Sequence, residues 1–246
     1  MTLDFQKMLR LYHLLVGFIL VLLIPVGVKF VLPQFSGTKA PHSPAVSKLA
    51  NLGEGNIWQK ILGNTAAPTN WQVATCNGNA PLLCISSKGK VLGTVEINVY
   101  PLEKIPDFQK KLVAAGVPTN SQVDYQSSQY QTQVLTALKG WVADKYAAFT
   151  KDRQVQYGRD IIFSDYPTQP APVGKLQGIR YGFAGLNQQG GVQEQHIGYV
   201  VFDGARLYVI TTAFDSGTQT GKFEKLENLA IFQPYLDAIA ADLRLP

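Results

Sequence analysis

Three long runs between residues 178 and 214 leave this chain few choices of fold. In "GIRYGFAGL", Ile179, Tyr181 and Phe183 fall on one face; "QQGG" turns the chain into "VQEQHIGYVVF", and Asp203-Gly204 turns it again into "ARLYVITTAF". Successive side chains of a strand point to opposite faces, so apolar residues at a period of two mark strands with distinct faces. Asp-Gly between such runs is a hairpin signal, because tight hairpin turns need residues that accept positive φ. The stretch therefore predicts an antiparallel meander. A sheet buries a face only when another layer covers it, and the rest of the chain has to supply that layer.

Earlier strand candidates lie at 71–76, 82–87 and 91–100. The third, "VLGTVEINVY", sets Val91, Gly93, Val95, Ile97 and Val99 against Leu92, Thr94, Glu96, Asn98 and Tyr100, and Lys88-Gly89 supplies the turn before it. Then the period changes. Asp107 to Ala115 reads as a short helix that stops at Gly116, and Ser127 to about Lys151 as a longer one. Leu135, Leu138, Val142, Tyr146 and Phe149 make a single apolar stripe on that longer helix, with Trp141 beside it. A strand candidate, "GRDIIFSDY" (158–166), is followed by a Pro-rich crossing, "PTQPAPVGK". The final stretch, "FQPYLDAIAADLRLP", is helical, with Phe232, Tyr235, Leu236, Ile239 and Leu243 on one face. The order βββ, α, α, ββββ, α predicts an α+β domain over 57–246, an antiparallel sheet covered by helices.

The N-terminal part is of another kind. Residues 14–28, "LLVGFILVLLIPVGV", carry no charge, and the apolar segment extends from Leu11 to Leu32 with Lys29 near its end. A bilayer core takes roughly 20 helical residues. The segment 11–32 is therefore expected to be a transmembrane anchor, after a short cytoplasmic N-terminus at 1–10. A cleaved signal peptide is the alternative, but Ser43-Pro-Ala45 lies far past the apolar run and Thr38-Lys-Ala40 is followed by Pro41. Residues 33–56, rich in Pro, Ser, Gly and Ala, read as a linker. Of the net charge of +5, much sits before residue 40, where Lys7, Arg10, Lys29 and Lys39 face Asp4 alone. The near-neutral body that follows is not the footprint of a nucleic-acid binder.

Cys76 and Cys84 enclose "NGNAPLL", and Asn77-Gly78 is a tight-turn signal. A turn there would set "WQVATC" beside "LLCISS" with the cysteines opposite each other, placed for a disulfide. Such bonds persist in oxidising compartments, so the anchor and the disulfide both point to a domain in a lumen or periplasm. Two buried thiols are the alternative.

Candidate sites are few. "TTAFDSGTQTGKFEKLE" (211–227) has the order strand, glycines, lysine, helix, but the spacer from Gly217 to Gly221 is three residues, and Lys222 precedes Phe223 rather than a hydroxyl. A phosphate loop needs four spacer residues and a Ser or Thr after the lysine. No nucleotide is expected here; if this loop binds anything, Lys222 meets a partner surface. His13, at the start of the anchor, is a candidate contact for a cofactor such as a tetrapyrrole; an interfacial residue is the plainer reading, and no bound cofactor is expected. Glu194 and His196 share a strand face and could supply two metal ligands, but with no further ligand visible in sequence a solvent-facing polar edge is the plainer reading. Neither G-x-S-x-G nor H-E-x-x-H is present, and no carboxylate pair is nominated for acid–base work. Tyr125 and Tyr130, set among Gln and Ser in "DYQSSQYQTQ", are candidate partner contacts, because Tyr is enriched at protein interfaces.

The element order over 70–246 and the closing unit, "GYVVFDGARLYVITTAF…FQPYLDAIAADLRL", resemble the PsbP-like family. These are lumenal extrinsic and assembly proteins of photosystems, with an α/β/α sandwich fold. The resemblance implies a membrane-anchored, non-enzymatic accessory or assembly factor. Its partner would be a membrane protein complex of photosystem type, bound from the lumenal or periplasmic side of a thylakoid or plasma membrane. The chain departs from bacterial members that carry a lipidated N-terminal cysteine, since no cysteine precedes Cys76. A periplasmic ligand- or glycan-binding domain, or an envelope enzyme with an unrecognised site, is the alternative.

Overall fold

The computed structural model describes residues 70–76, 82–118 and 123–245. The expected N-terminus at 1–10, anchor at 11–32, linker at 33–56, domain start at 57, His13 and the Asn77-Gly78 turn lie outside the described residues. Among the described residues no helix is long and apolar enough to cross a membrane.

The strands fall where alternation places them. β1 (Trp71–Thr75), β2 (Leu82–Ser87) and β3 (Lys90–Pro101) pair in order, each antiparallel to the next. Two helices follow, α1 (Pro106–Ala114) and α2 (Gln131–Tyr157). Proline at the first position of α1 costs no hydrogen bond, because that N–H has no partner inside a helix. α2 runs six residues past the expected end at Lys151 and stops where Gly158 takes φ 66°, which glycine adopts without a steric penalty. Then come β4 (Ile161–Asp165), β5 (Gln169–Val173), β6 (Leu176–Asn187), β7 (Val192–Phe202), β8 (Arg206–Phe214), the two-residue β9 (Lys222–Phe223) and α3 (Leu226–Asp242).

These strands make one sheet. β3 pairs antiparallel with β8, which continues the meander through β7 and β6, and β4 and β5 both lie along the outer side of β6. Among the described strands only β9 is parallel to a neighbour, β8. The sheet is covered on both faces. On one, Val95, Ile97, Tyr199, Val201, Tyr208 and Ile210 pack with Phe232, Leu236 and Ile239 of α3. On the other, Ile179, Val200, Phe202, Leu207 and Val209 pack with Phe108 and Leu112 of α1 and Val134, Leu138 and Val142 of α2. The run Tyr199-Val-Val-Phe202 is apolar without alternation because both of its faces are buried. The protein is thus an α+β domain with helices on the two sides of a mainly antiparallel sheet.

Two expectations change. The Pro-rich crossing contains a strand, β5. Pro170 and Pro172 are two apart, so their missing N–H groups lie on one side of the strand, and β5 pairs with β6 alone on the other. The Gly-rich loop after β8 does not lead straight into a helix. It forms β9, which slots between β3 and β8 so that Phe223 lies opposite Gly93. A Cβ at Gly93 would come within 2.4 Å of the Phe223 ring, so only glycine admits it in this conformation.

Candidate functional site

The apolar stripe of α2 ends in a charge. Arg153 lies four residues after Phe149 on the same helix face, and it is buried. Its Nε donates to Oε2 of Glu194 at 3.1 Å and its Nη2 to Oδ2 of Asp215 at 2.8 Å. Glu194 is on β7 and Asp215 directly follows β8; both carboxylates are buried. His196 completes the cluster, with Nε2 3.1 Å from the same Oε2 of Glu194 and 3.6 Å from Oδ2 of Asp215. Phe183 stacks on the imidazole at 4.3 Å between centroids, and the Arg153 guanidinium lies 4.2 Å over the Phe149 ring. The solvent-facing edge expected for Glu194 and His196 is therefore corrected. α2 covers this strand face, and both side chains point into it.

Burying two carboxylates costs several kcal/mol each unless charge and hydrogen bonds compensate. Arg153 supplies most of that compensation through its forked guanidinium. Burial works against the Arg153 charge, but the attraction of Glu194 and Asp215 outweighs it and raises its pKa above the ordinary value. Asp215 also shapes the turn leaving β8, where its Oδ1 accepts the Gly217 N–H at 2.7 Å. Oε1 of Glu194 is buried and has no hydrogen-bond partner among the described residues.

Glu194, His196 and Asp215 offer three ligand atoms within 4.8 Å of one another, enough to consider a metal. The guanidinium already bonds the two carboxylate oxygens that face His196, so a cation would have to displace Arg153. The cluster is better described as a polar lock between α2, β7 and the end of β8. Sequence reading paired Glu194 with His196 but missed Arg153 and Asp215. The available signal was an arginine on an apolar helix stripe, which calls for a buried acidic partner.

Phe183 divides this lock from an open groove of roughly 680 Å³. The groove runs between α2, β4 and the crossing at 166–168. Val142, Ala143, Tyr146 and Ala147 form an apolar wall, Phe163 and Phe183 extend it, and Lys139 and Lys151 stand on its rim. Tyr146 donates a hydrogen bond to the Gly182 carbonyl, and burial raises the pKa of its phenol.

The other expected contacts divide. Tyr125 is only 5% exposed; its ring meets Phe202 edge-on and its hydroxyl donates to the Pro118 carbonyl, so it serves the core rather than a partner surface. Tyr130 is half-buried at the start of α2 and its hydroxyl accepts from Gln129. Lys222 is held through its backbone by Thr94 and pairs with Glu224 at 3.4 Å. Cys76 and Cys84 form a disulfide with their Cα atoms 5.0 Å apart. The register partner of Cys84 is Ala74, so the bridge runs diagonally between β1 and β2 and not between directly opposed residues.

No protein-family model matches this chain, and no curated protein matches it. Among solved structures it is similar to the solution structure of cyanobacterial PsbP (CyanoP) from Synechocystis sp. PCC 6803. The TM-score is 0.36 and the identity 8%, over 73% of this chain and 84% of that one.

Proposed function

We propose that this chain is a membrane-anchored accessory factor that binds, or helps assemble, a membrane protein complex of photosystem type from the lumenal or periplasmic side. What carries the reading is how the domain uses its polar chemistry. Its buried Glu194 and Asp215 are tied up by Arg153, with His196 half-buried beside them, whereas its open groove offers apolar wall, hydroxyls and lysines, the chemistry of contact. The Cys76–Cys84 disulfide suits an oxidising compartment, and the apolar segment 11–32 would hold the domain at a membrane surface, raising its effective concentration near such a partner. Extraction in mild detergent followed by a native gel tests the reading: the chain is expected to migrate with a large membrane complex. The groove is also of small-molecule size, which favours a ligand-binding domain as the second reading. A chain that runs as a monomer and carries a bound small molecule in native mass spectrometry would overturn the first reading in favour of the second.

A further inference from the structure

The two ends of the sheet's outer border are built differently. Along β5 the outward positions are prolines 170 and 172, which offer no N–H to an incoming strand. Along β4 no proline stands at the outward positions, which are Ile161, Phe163 and Asp165. The Tyr166 N–H reaches the Gly182 carbonyl and the Gln188 N–H reaches the Asp160 carbonyl, so even-numbered residues bond inward to β6. The backbone groups of Ile161, Phe163 and Asp165 therefore point outward, and among the described residues β4 has no strand partner other than β6. Unpaired edges of this kind accept an extended chain.

Both faces beside this edge suit such an occupant. On one, Ile162 and Leu186 are cross-strand partners and are 55% and 40% exposed. On the other lies the groove against α2, where the exposed Ala143 and Ala147 leave room beside Phe163. Charge narrows the choice. Lys139 and Lys151 stand on the rim, both exposed; among the described residues neither is in an ion pair and Asp165 is the only carboxylate in the lining. They are twelve residues apart on one helix, roughly 18 Å along its axis. At about 3.3 Å per residue an extended chain covers that distance in five or six residues.

We propose that the outer edge of β4 and the adjoining α2 groove bind an extended, acidic segment of a partner protein by adding it as a strand. Carboxylates six residues apart, an even separation that puts both on one strand face, meet Lys139 and Lys151. Alternate apolar side chains between them enter the groove, and the segment's backbone pairs with Ile161, Phe163 and Asp165. This rests on the accessory-factor reading above and names the surface through which it would act.

The test uses the full chain in detergent and a fluorescein-labelled heptapeptide, Glu-Thr-Val-Thr-Val-Thr-Glu, whose Glu and Val share one strand face, followed by fluorescence anisotropy. Saturable binding is expected, weakened roughly fivefold or more by combined Lys139→Glu and Lys151→Glu. N-methylation of alternate peptide amides is expected to abolish it. Asp165→Pro copies the device found in β5 and removes a carboxylate that would repel the probe; it is nevertheless expected to abolish binding while circular dichroism stays native. The proposal is overturned if Lys-Thr-Val-Thr-Val-Thr-Lys binds equally well, if the lysine reversal changes nothing, or if a natively folded Asp165→Pro chain binds as before. It is also overturned if the edge is filled by a second copy, seen as a concentration-dependent dimer that the probe does not disperse. A chain that migrates with a large complex yet ignores the probe overturns this edge as the docking surface and leaves the accessory role standing. One that binds the probe but migrates with nothing supports the edge and overturns that role.

Discussion

Arg153 lies at the end of a helix stripe that is otherwise apolar, and its removal would leave Glu194 and Asp215 buried with His196 alone beside them. Arg153→Ala is therefore expected to lower stability by about 3–5 kcal/mol, read from urea denaturation. Arg153→Lys should recover only part of this, because an ammonium cannot reach both carboxylates with a planar fork. An effect under about 1 kcal/mol for the alanine change would show that the ion network does not hold α2 to the sheet. Gly93 makes a second point at this scale. A methyl there meets the Phe223 ring, so Gly93→Ala should cost about 1–3 kcal/mol, and much less in a Phe223→Leu background. Additive effects would mean that the two residues do not compete for the same space. Neither residue was singled out in the sequence. Gly93 read as one position of an alternating strand, and Arg153 fell past the expected helix end at Lys151; the role of each is set by a neighbour distant in the chain.

Among the elements, the first hairpin is the one with a covalent tie. Cys76 and Cys84 are eight residues apart, a short loop, and in the chain-entropy account closing such a loop removes about 2–3 kcal/mol of unfolded-state freedom. Reduction is expected to lower stability by about that amount, with loss of protection concentrated in β1 and β2 by hydrogen exchange. If reduced and oxidised protein unfold at the same urea concentration, the disulfide does not stabilise the hairpin. Strands β1–β3 and β6–β8 were legible because alternation and turn residues are local signals. β5 and β9 were not. A strand containing two prolines exists only because it lies at an edge, and a two-residue strand exists only because β3 and β8 diverge enough to admit Phe223.

At the scale of the whole molecule the buried tyrosines set an alkaline limit. Burial raises the phenol pKa of Tyr146, Tyr181 and Tyr208 above the ordinary value of 10.0. As the pH rises through 10, these phenols ionise in the unfolded chain but stay protonated in the native one, so the unfolded state holds fewer protons. Stability is thus fully present below that pH and is lost as the pH climbs toward the native values. Urea midpoints on either side of pH 10 should show the decline, shallower in Tyr181→Phe; a midpoint constant across that range would contradict it. The same burial explains what could be read before the fold was known. The sequence by itself determined the α+β class, the meander, the helix stripes and the position of the cysteine pair, since each depends on periodicity or on residues close in the chain. Only the tertiary structure decided that Glu194 and His196 face inward, that Asp215 and Arg153 join them, that Tyr125 is core, and that β4 has an open edge. Those properties depend on which layer covers which face, and that is settled by contacts between segments that no local pattern connects.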